Sequence, residues 1–459
     1  MGAEGAAAEP GASSELAAPH LRRRILRFAV PASLEVVIQH LFVVIDQIFV
    51  ASLGDTSFVA VGLTVQVLAL AFALMAALGS AASIRLARYA GAEDHDAFSA
   101  TAAQALQVTA LVAIAVTAVT WLAAPAVFAA LGAAPAVADR GVFFSRLIAW
   151  SLPLMALMEV GNQVVRARGD ARSPMLISLA ALATNSALSY TLIFGWWGFP
   201  RLGLAGAGIA TLIARGLGVA LVGWLLLSRR HPLRVQLRDL RRFQAARVGA
   251  LLRLAIPVAL GQGAWLLGML GYTRVYAALG TRALAAASII GQLEGICVLL
   301  SFGFGMACLT LVGQELGRKD RDAAYRVAAE CWRLALLVSV VTGAALAAGA
   351  LAVESLYPRL EVGTQDLAML GLWISALLQP IKISNMVLAI GVLRGGGDVR
   401  FTTMSEAMML VGITCAWALG VPIGWGLVGV LVGKACEESL KLALFSWRYV
   451  SKRWIHEVV

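Results

Sequence analysis

The first long apolar stretch of the chain carries three polar side chains on one helical face. Glu35, Gln39 and Asp46 are separated by four and seven residues, so at about 100° per residue they project within roughly 40° of one another in an α-helix. A carboxylate inside a membrane is costly unless it meets a cavity or a partner. Asp46, the deeper acid, is therefore predicted to exchange a proton or bind a cation. Glu35 either lines the same wet face or is simply solvated near the helix end.

A second polar stripe lies in the fourth apolar stretch. Glu159, Asn162, Gln163 and Arg166 recur there at intervals of three, four and seven residues, which places them on one face of a helix. Two interpretations stay open. The stripe contacts a substrate, or Glu159 and Arg166 form an ion pair that serves the structure.

Amide and hydroxyl groups follow in the fifth and sixth stretches. Asn185 and Ser189 are four residues apart, and Thr211 lies in the sixth stretch. Such groups either coordinate a cation or hold neighbouring helices together by hydrogen bonds. Thr211 taken alone fits the second role.

These groups need long apolar elements to hold them. The 459 residues are 60% hydrophobic and 14% charged, whereas soluble domains carry about 25% charged residues. Apolar stretches recur that are long enough to cross a hydrocarbon core of about 30 Å, and in lipid such stretches must be helices. We predict an all-α integral membrane protein whose twelve transmembrane helices cover residues 28–53, 58–84, 98–124, 141–164, 174–196, 203–227, 250–278, 283–312, 329–353, 366–393, 401–420 and 427–448.

Basic residues concentrate in alternate loops. They precede the first span and follow the even-numbered spans, with the largest cluster from Arg229 to Arg247. Because cytoplasmic loops are enriched in Lys and Arg, both termini are predicted to be cytoplasmic. The predicted organisation is a disordered tail over 1–20, an N-lobe of six helices over 21–228, a basic cytoplasmic linker over 229–248, a C-lobe of six helices over 249–450 and a cytoplasmic tail over 451–459.

An internal repeat with an offset of about 226 residues relates the two halves. Pro31 in LRFAVPASL matches Pro257 in LRLAIPVAL, and RYAGAEDHDA ending at Ala97 matches QELGRKDRDA ending at Ala323. The two prolines are predicted to open the first helix of each half or to kink it. Six spans in each half make the repeats parallel. Transporters built in this way hold their substrate between the halves and rock them alternately.

The second half carries a different set of polar groups. Tyr272 stands where the repeat places Asp46, and Lys382 either contacts substrate or neutralises Glu294. The deep polar groups of this half are Gln292, Glu294, Gln379, Lys382 and Asn385. We predict a substrate cavity between the halves that is lined by Glu35, Gln39, Glu159, Gln163, Tyr272, Glu294, Lys382 and Asn385.

Several classes of function do not fit the sequence. The net charge of +11 follows from loop orientation, so no nucleic-acid partner is expected. The five cysteines lie in or beside apolar stretches without metal-ligand spacing and are expected to pack, with no metal and no cofactor. The chain contains no phosphate-binding GxxxxGK[ST] loop, which argues against a primary pump. It offers no catalytic constellation, and its first twenty residues lack the apolar region of a signal peptide.

Taken in order and in duplicate, these motifs resemble the multidrug and toxic compound extrusion (MATE) family. The resemblance rests on Pro31, on Asp46 fifteen residues later, on the LGD and AGAEDHDA segments, and on the loops RARGDAR and LRGGGDVR, which end at Arg172 and Arg400. It covers about 430 residues. It implies two pseudo-symmetric six-helix bundles around a V-shaped central cavity, and antiport of an organic substrate against Na⁺ or H⁺.

The same resemblance implies a cation-coupling site in the N-lobe. Asp46, Asn185 and Thr211 match the family pattern, but Ser189 stands where some members carry a second acid. The missing charge favours H⁺ over Na⁺ as the coupling ion. A cation site in the C-lobe is not expected, because Trp265 and Lys382 lie where other members carry acids.

The runner-up is a flippase for lipid-linked precursors, which shares this architecture but often has two more helices and an arginine-lined cavity. Twelve spans and a carboxylate-bearing first half favour the exporter. The resemblance further implies a transporter rather than an enzyme, acting as a monomer in the bacterial inner membrane, with membrane lipid and a small organic substrate as its partners.

Overall fold

Long α-helices joined by short turns make up the protein. The computed structural model describes residues 18–228 and 231–456, and within these ranges the only β pairing is an isolated bridge between Gly397 and Ile455. The helices are α1 (Ala18–Ala51), α2 (Asp55–Gly91), α3 (His95–Ala130), α4 (Pro135–Ala149), α5 (Ser151–Ala167), α6 (Arg172–Phe194), α7 (Leu204–Leu227), α8 (Ala245–Ala278), α9 (Thr281–Gly317), α10 (Arg321–Leu351), α11 (Val362–Met386), α12 (Val399–Ser405), α13 (Met408–Gly420) and α14 (Gly426–Val450).

Most of these helices are long and apolar enough to cross a membrane. In the described part of the chain ten helical segments meet this condition, and the pair α4 and α5, bent by 44°, makes an eleventh. The predicted twelfth span coincides with α14, whose 25 residues include Lys434, Glu437, Glu438 and Lys441. These charges lower its apolarity. The helical membrane fold is confirmed, and the number twelve stays a prediction.

Helix boundaries differ from the predicted ones at both ends of the chain. Helix α1 begins at Ala18, inside the predicted tail, and residues 1–17 lie outside the described ranges. Pro31 and Pro257 lie within α1 and α8, so the interpretation that they open these helices is wrong. After α14 the chain folds back: Trp454 is fully buried, and the His456 N–H donates to the Gly396 carbonyl at 2.9 Å.

The internal repeat is visible in local geometry. Asp94 caps α3 and Asp320 caps α10, each accepting a hydrogen bond from the N–H three residues later, at 2.9 and 2.8 Å. The preceding residues, Glu93 and Lys319, both take the left-handed conformation, with φ of 55° and 64°. Both pairs are 226 residues apart, so the repeated sequence folds into the same turn twice.

The two halves meet where α1 and α2 pack against α9. Arg22 of α1 pairs with Glu330 of α10 at 2.5 Å, and Arg24 pairs with Glu315 of α9 at 3.0 Å. We call this part of the molecule the arginine-rich end, defined by Arg22, Arg24 and the α9 C-terminus. Cross-half ion pairs there hold the halves together.

Gly303 allows α9 to approach α1 closely. A Cβ atom at this position would lie 2.2 Å from the Ala29 carbonyl oxygen and 2.4 Å from the Ser33 nitrogen. We expect Gly303→Ala to force the helices apart and lower the free energy of unfolding by about 1–3 kcal/mol. Thermal unfolding in detergent measures this. Gly295→Ala is the control, because nothing lies within 4 Å of that site on the same helix. Equal midpoints for both variants would show that the close approach does not matter.

Candidate functional site

Asp46 lies among three polar side chains from two other helices. Its Oδ1 accepts hydrogen bonds from Asn185 Nδ2 at 2.5 Å and from Ser189 Oγ at 3.4 Å, both on α6. Its Oδ2 accepts one from Thr211 Oγ1 on α7 at 3.3 Å. All four members of the predicted cation-coupling group therefore meet at one point. In the described part of the chain, Asp46 forms no ion pair.

One acceptor in this cluster is unsatisfied. Asn185 is fully buried, and its Oδ1 has no hydrogen-bond partner among the described residues. A buried polar atom without a partner costs free energy. The cluster therefore offers an unused oxygen beside the carboxylate, suited to a proton donor or a cation.

Arg215 is a charged neighbour of Asp46 that was not predicted from the sequence. It is buried on α7, one turn after Thr211, with its guanidinium 4.1 Å from the centre of the Phe42 ring. Its charge interacts with Asp46 and Glu159. An arginine in the middle of the sixth apolar stretch, four residues after a site residue, was the available signal.

The polar stripe of α5 joins α1 through Arg166. The guanidinium pairs with Glu35, and its Nη2 donates to Glu159 Oε1 at 3.2 Å. Asn162 also donates to Glu35, at 2.9 Å. Glu35 has no exposed surface, so the interpretation that it is simply solvated is wrong: burial beside a guanidinium takes the place of water.

The remaining cavity residues predicted for the first half belong to the same network. Gln39 Nε2 reaches Glu35 at 3.4 Å and Glu159 at 3.5 Å, and Gln163 donates to Glu159 at 2.9 Å. These four side chains mainly satisfy one another and Arg166. The structural ion pair, left open by the sequence, is therefore present.

In the second half, Lys382 pairs with Glu294, as one of the two sequence interpretations held. Asn385 Nδ2 donates to Glu438 Oε2 at 2.7 Å. The Tyr272 hydroxyl donates to Glu437 Oε2 at 2.5 Å, and this tyrosine is only 2% exposed. Its hydroxyl is therefore engaged in an internal hydrogen bond, and its place in a substrate cavity stays a prediction.

The acids and lysines of the last helices extend this C-half network. Lys441 contacts Glu437 at 2.8 Å and Glu406 of the α12–α13 junction at 3.1 Å. Glu406, Glu437, Glu438 and Lys441 were not among the residues predicted from the sequence. Charges inside spans 401–420 and 427–448 were the signal that could have found them.

An apolar cavity of about 460 Å³ lies between the halves and is lined by α2, α3, α4 and α8. None of the eight residues predicted for the substrate cavity is among its lining residues. Its polar lining groups include Thr64, Ser145 and Gln262, and most of the other lining side chains are aliphatic. Drug-sized ligand pockets are about 300–1,000 Å³ and predominantly apolar. The cavity is therefore of a size and chemistry that suits a small organic molecule.

Comparison with known proteins gives consistent results. The MatE family model matches residues 31–191 and 257–424. The chain is 25% identical over 455 residues to the "Probable multidrug resistance protein NorM" of Thermotoga maritima, covering 95% of this chain and 94% of that one. It is 22% identical over 417 residues to the "Uncharacterized transporter YisQ" of Bacillus subtilis, covering 90% of each.

Solved structures share the fold. A structure titled "Crystal structure of MATE in the bent conformation" superposes with a TM-score of 0.86 at 19% identity, covering 97% of this chain and 99% of that one. Another, titled "Outward-facing conformation of a multidrug resistance MATE family transporter of the MOP superfamily", gives 0.85 at 21% identity, with 94% and 97% covered. The all-helical arrangement therefore agrees with transporters of known structure.

Proposed function

Because the chain belongs to the multidrug and toxic compound extrusion (MATE) family, a family of multi-pass membrane transporters rather than enzymes, we propose that it exports small organic compounds in exchange for a cation. Asp46 is the coupling residue in this proposal. The observation that carries it is a carboxylate five residues before the end of α1, held by Asn185, Ser189 and Thr211 without an ion-pair partner in the described residues.

The charges of the N-half site leave room for one cation. Glu35, Asp46 and Glu159 carry three negative charges when ionised, and Arg166 and Arg215 carry two positive ones. Arg166 is committed to Glu35 and Glu159. Binding one proton or one Na⁺ at Asp46 would therefore neutralise the group, which lowers the cost of moving it through a low-dielectric environment.

A proton fits the cluster without rearranging its backbone. An ionised Asp46 accepts from Asn185 Nδ2, as observed at 2.5 Å. A protonated Asp46 can donate, and the unsatisfied Asn185 Oδ1 becomes its acceptor when the amide turns over. The same asparagine then serves both protonation states, so the cycle needs only a side-chain rotation.

Na⁺ is the less favoured ion because of two neighbours. Ser189 supplies a neutral hydroxyl where a second carboxylate would add charge, and buried Arg215 repels an incoming cation. Hard cations prefer several oxygen ligands, including carboxylates. Coupling is therefore proposed to follow the proton gradient.

Ser189→Asp tests this choice of ion. The new carboxylate would lie beside Asp46, so we expect transport by the variant to rise with Na⁺ at fixed pH, whereas wild-type transport stays nearly flat. Proton coupling is expected to weaken, since neighbouring carboxylates titrate as a pair. Ser189→Asn is the control, because an asparagine has the size and shape of the aspartate but no charge. If wild-type transport depends strongly on Na⁺ and the variant behaves in the same way, Ser189 does not determine the choice of coupling ion.

The substrate is proposed to be a small organic molecule, on the basis of the apolar cavity between the halves. The NorM relative carries the description of a multidrug resistance protein, which favours export over lipid flipping. Proteoliposomes loaded with a panel of organic cations and anions test this. Export should leave the compounds chemically unchanged; movement of a lipid-linked precursor without export of any panel compound would favour the flippase instead.

The orientation remains part of the proposal. The arginine-rich end is assigned to the cytoplasm because basic loops concentrate there, and both termini lie on that side. The protein is further proposed to act as a monomer in the bacterial inner membrane. The V-shaped cavity then opens between the halves, away from the cross-half pairs Arg22–Glu330 and Arg24–Glu315. Alternating access would require these pairs to part once in each cycle.

A further inference from the structure

A basic pocket of about 510 Å³ opens at the arginine-rich end, between the two halves. Five arginines line it. Arg23, Arg24 and Arg27 come from the first turns of α1, Arg168 follows α5, and Arg318 follows α9. Among the described residues that line the pocket, none is acidic.

The charge of these arginines is only partly balanced. Arg24 and Arg318 share a single carboxylate, that of Glu315, each at 3.0 Å. Arg23 and Arg27 have no ion-pair or hydrogen-bond partner among the described residues. The five arginines contact one carboxylate between them, so four of their positive charges are not balanced by an ion pair.

Arg168 shows the imbalance most clearly. Its guanidinium donates to the carbonyl oxygens of Leu225 and Leu226, at 3.4 and 3.3 Å, and its buried Nε has no partner. Burial lowers the pKa of Arg168 to about 10. The charge of Asp170 attracts this guanidinium, but the two form no ion pair in the described structure, and the Leu225 and Leu226 carbonyls that Arg168 contacts are neutral.

Loop orientation alone does not account for this arrangement. It explains why arginines are frequent at one end of the molecule, but arginines dispersed over the loops at that end would orient the protein equally well. Here the arginines come from three segments far apart in sequence and converge on one cavity, with Gln314 of α9 also in its wall. Both halves of the protein contribute, so a single anion could contact both.

We propose that this pocket binds a phosphate group, carried by an anionic lipid headgroup or by a soluble phosphate compound, which bridges the two halves. Guanidinium groups bind phosphate through paired hydrogen bonds, and basic pockets between transmembrane helices recognise lipid headgroups. A neighbouring open groove of about 680 Å³ shares Arg23 and Arg27 with the pocket and is also lined by Leu26, Val30 and two further arginines. An acyl chain of a bound lipid would lie along its apolar side. The inference does not depend on the proposed transport.

The test uses the full chain in nanodiscs of phosphatidylcholine, with inorganic pyrophosphate as the probe and the thermal unfolding midpoint as the readout. Pyrophosphate should raise the wild-type midpoint, and potassium chloride of equal ionic strength should not. The double variant Arg23→Gln, Arg27→Gln should weaken the apparent affinity about 25-fold, at about fivefold for each arginine. Neither residue forms an ion pair in the described structure, so the variant should fold.

The matched control is Arg241→Gln, Arg326→Gln, which removes the same charge from exposed positions outside the pocket. Its affinity for pyrophosphate should stay within about twofold of the wild type. Equal weakening in both double variants, or an equal response to chloride, would overturn the proposal.

The source of the phosphate is distinguished in nanodiscs that contain phosphatidylglycerol. If the lipid headgroup occupies the pocket, these discs should raise the midpoint of the wild type but not of the Arg23→Gln, Arg27→Gln variant, and added pyrophosphate should have no further effect. If the ligand is soluble, pyrophosphate should shift the wild-type midpoint equally in both kinds of disc.

Discussion

Asp46→Asn should abolish uphill export while leaving the protein folded and inserted. The asparagine keeps one oxygen, which can accept from Asn185 as Asp46 Oδ1 does at 2.5 Å. Its amide nitrogen takes the place of Oδ2 and can donate to the Thr211 hydroxyl, which lies 3.3 Å from Oδ2, so the local packing is retained. It cannot bind a proton at physiological pH and carries no charge for a cation. Accumulation of substrate against its gradient in proteoliposomes should fall to the level of empty vesicles.

The control for this variant is Asp55→Asn, which changes an exposed acid at the start of α2. It should transport like the wild type, and both variants should unfold within a few degrees of it. Uphill transport by Asp46→Asn at the wild-type rate would show that another group couples the ion. The first group to examine would then be Glu438, which is bonded to Asn385 and has no ion pair in the described structure.

Arg166→Met should produce the largest loss of stability. Glu35 has no exposed surface and would lose its counter-ion, and Glu159 would lose a contact at 3.2 Å. Removing one partner of a buried ion pair costs about 3–5 kcal/mol, because the other charge stays buried and unpaired. The midpoint of thermal or denaturant unfolding should fall accordingly, together with the yield of folded protein.

Two further variants make this result specific. The double variant Glu35→Gln, Arg166→Met removes both charges and should recover much of the lost stability. Arg333→Met breaks a pair with Glu330 in which the arginine is 72% exposed, and it should cost less than about 1 kcal/mol. If Arg166→Met and Arg333→Met have equal effects, the Glu35 ion pair does not stabilise the N-half.

Apolar length was sufficient to predict a helical membrane fold, whereas the number of twelve spans and the V-shaped cavity stay predictions. Apolar length predicts membrane helices directly, and the repeat placed the capping residues Asp94 and Asp320 at equivalent turns. The meeting of Asp46 with Asn185 and Thr211 followed from the family resemblance. Spacing alone relates residues on one helix, and these three lie on α1, α6 and α7.

The partners of buried charges could not be predicted in the same way. Arg166 lies seven residues after Glu159, so helical spacing suggested that pair, but its contact with Glu35 joins helices 131 residues apart in sequence. Tyr272 was assigned to a cavity from its place in the repeat. The repeat could not predict its hydrogen-bond partner, Glu437, because the packing between helices decides which polar groups are buried together.

The extent of α1 was missed for a related reason. Hydropathy identifies only the apolar part of a helix. Helix α1 begins at Ala18 and includes a basic segment, which a prediction from hydropathy leaves outside the helix. That segment packs on the second half through Leu21 and Ile25, which are buried. Tertiary contact therefore extends the helix beyond its apolar part, and the same segment supplies three arginines of the basic pocket.

The most direct test of the account is counterflow of an organic substrate in proteoliposomes of the wild-type protein, with the pH gradient and the Na⁺ gradient imposed separately. With the lone carboxylate of Asp46 beside Ser189 and Arg215, accumulation should follow the pH gradient at constant Na⁺ and stay nearly flat when Na⁺ is varied at constant pH. Accumulation driven by the Na⁺ gradient alone, with no response to the pH gradient, would contradict proton coupling through Asp46.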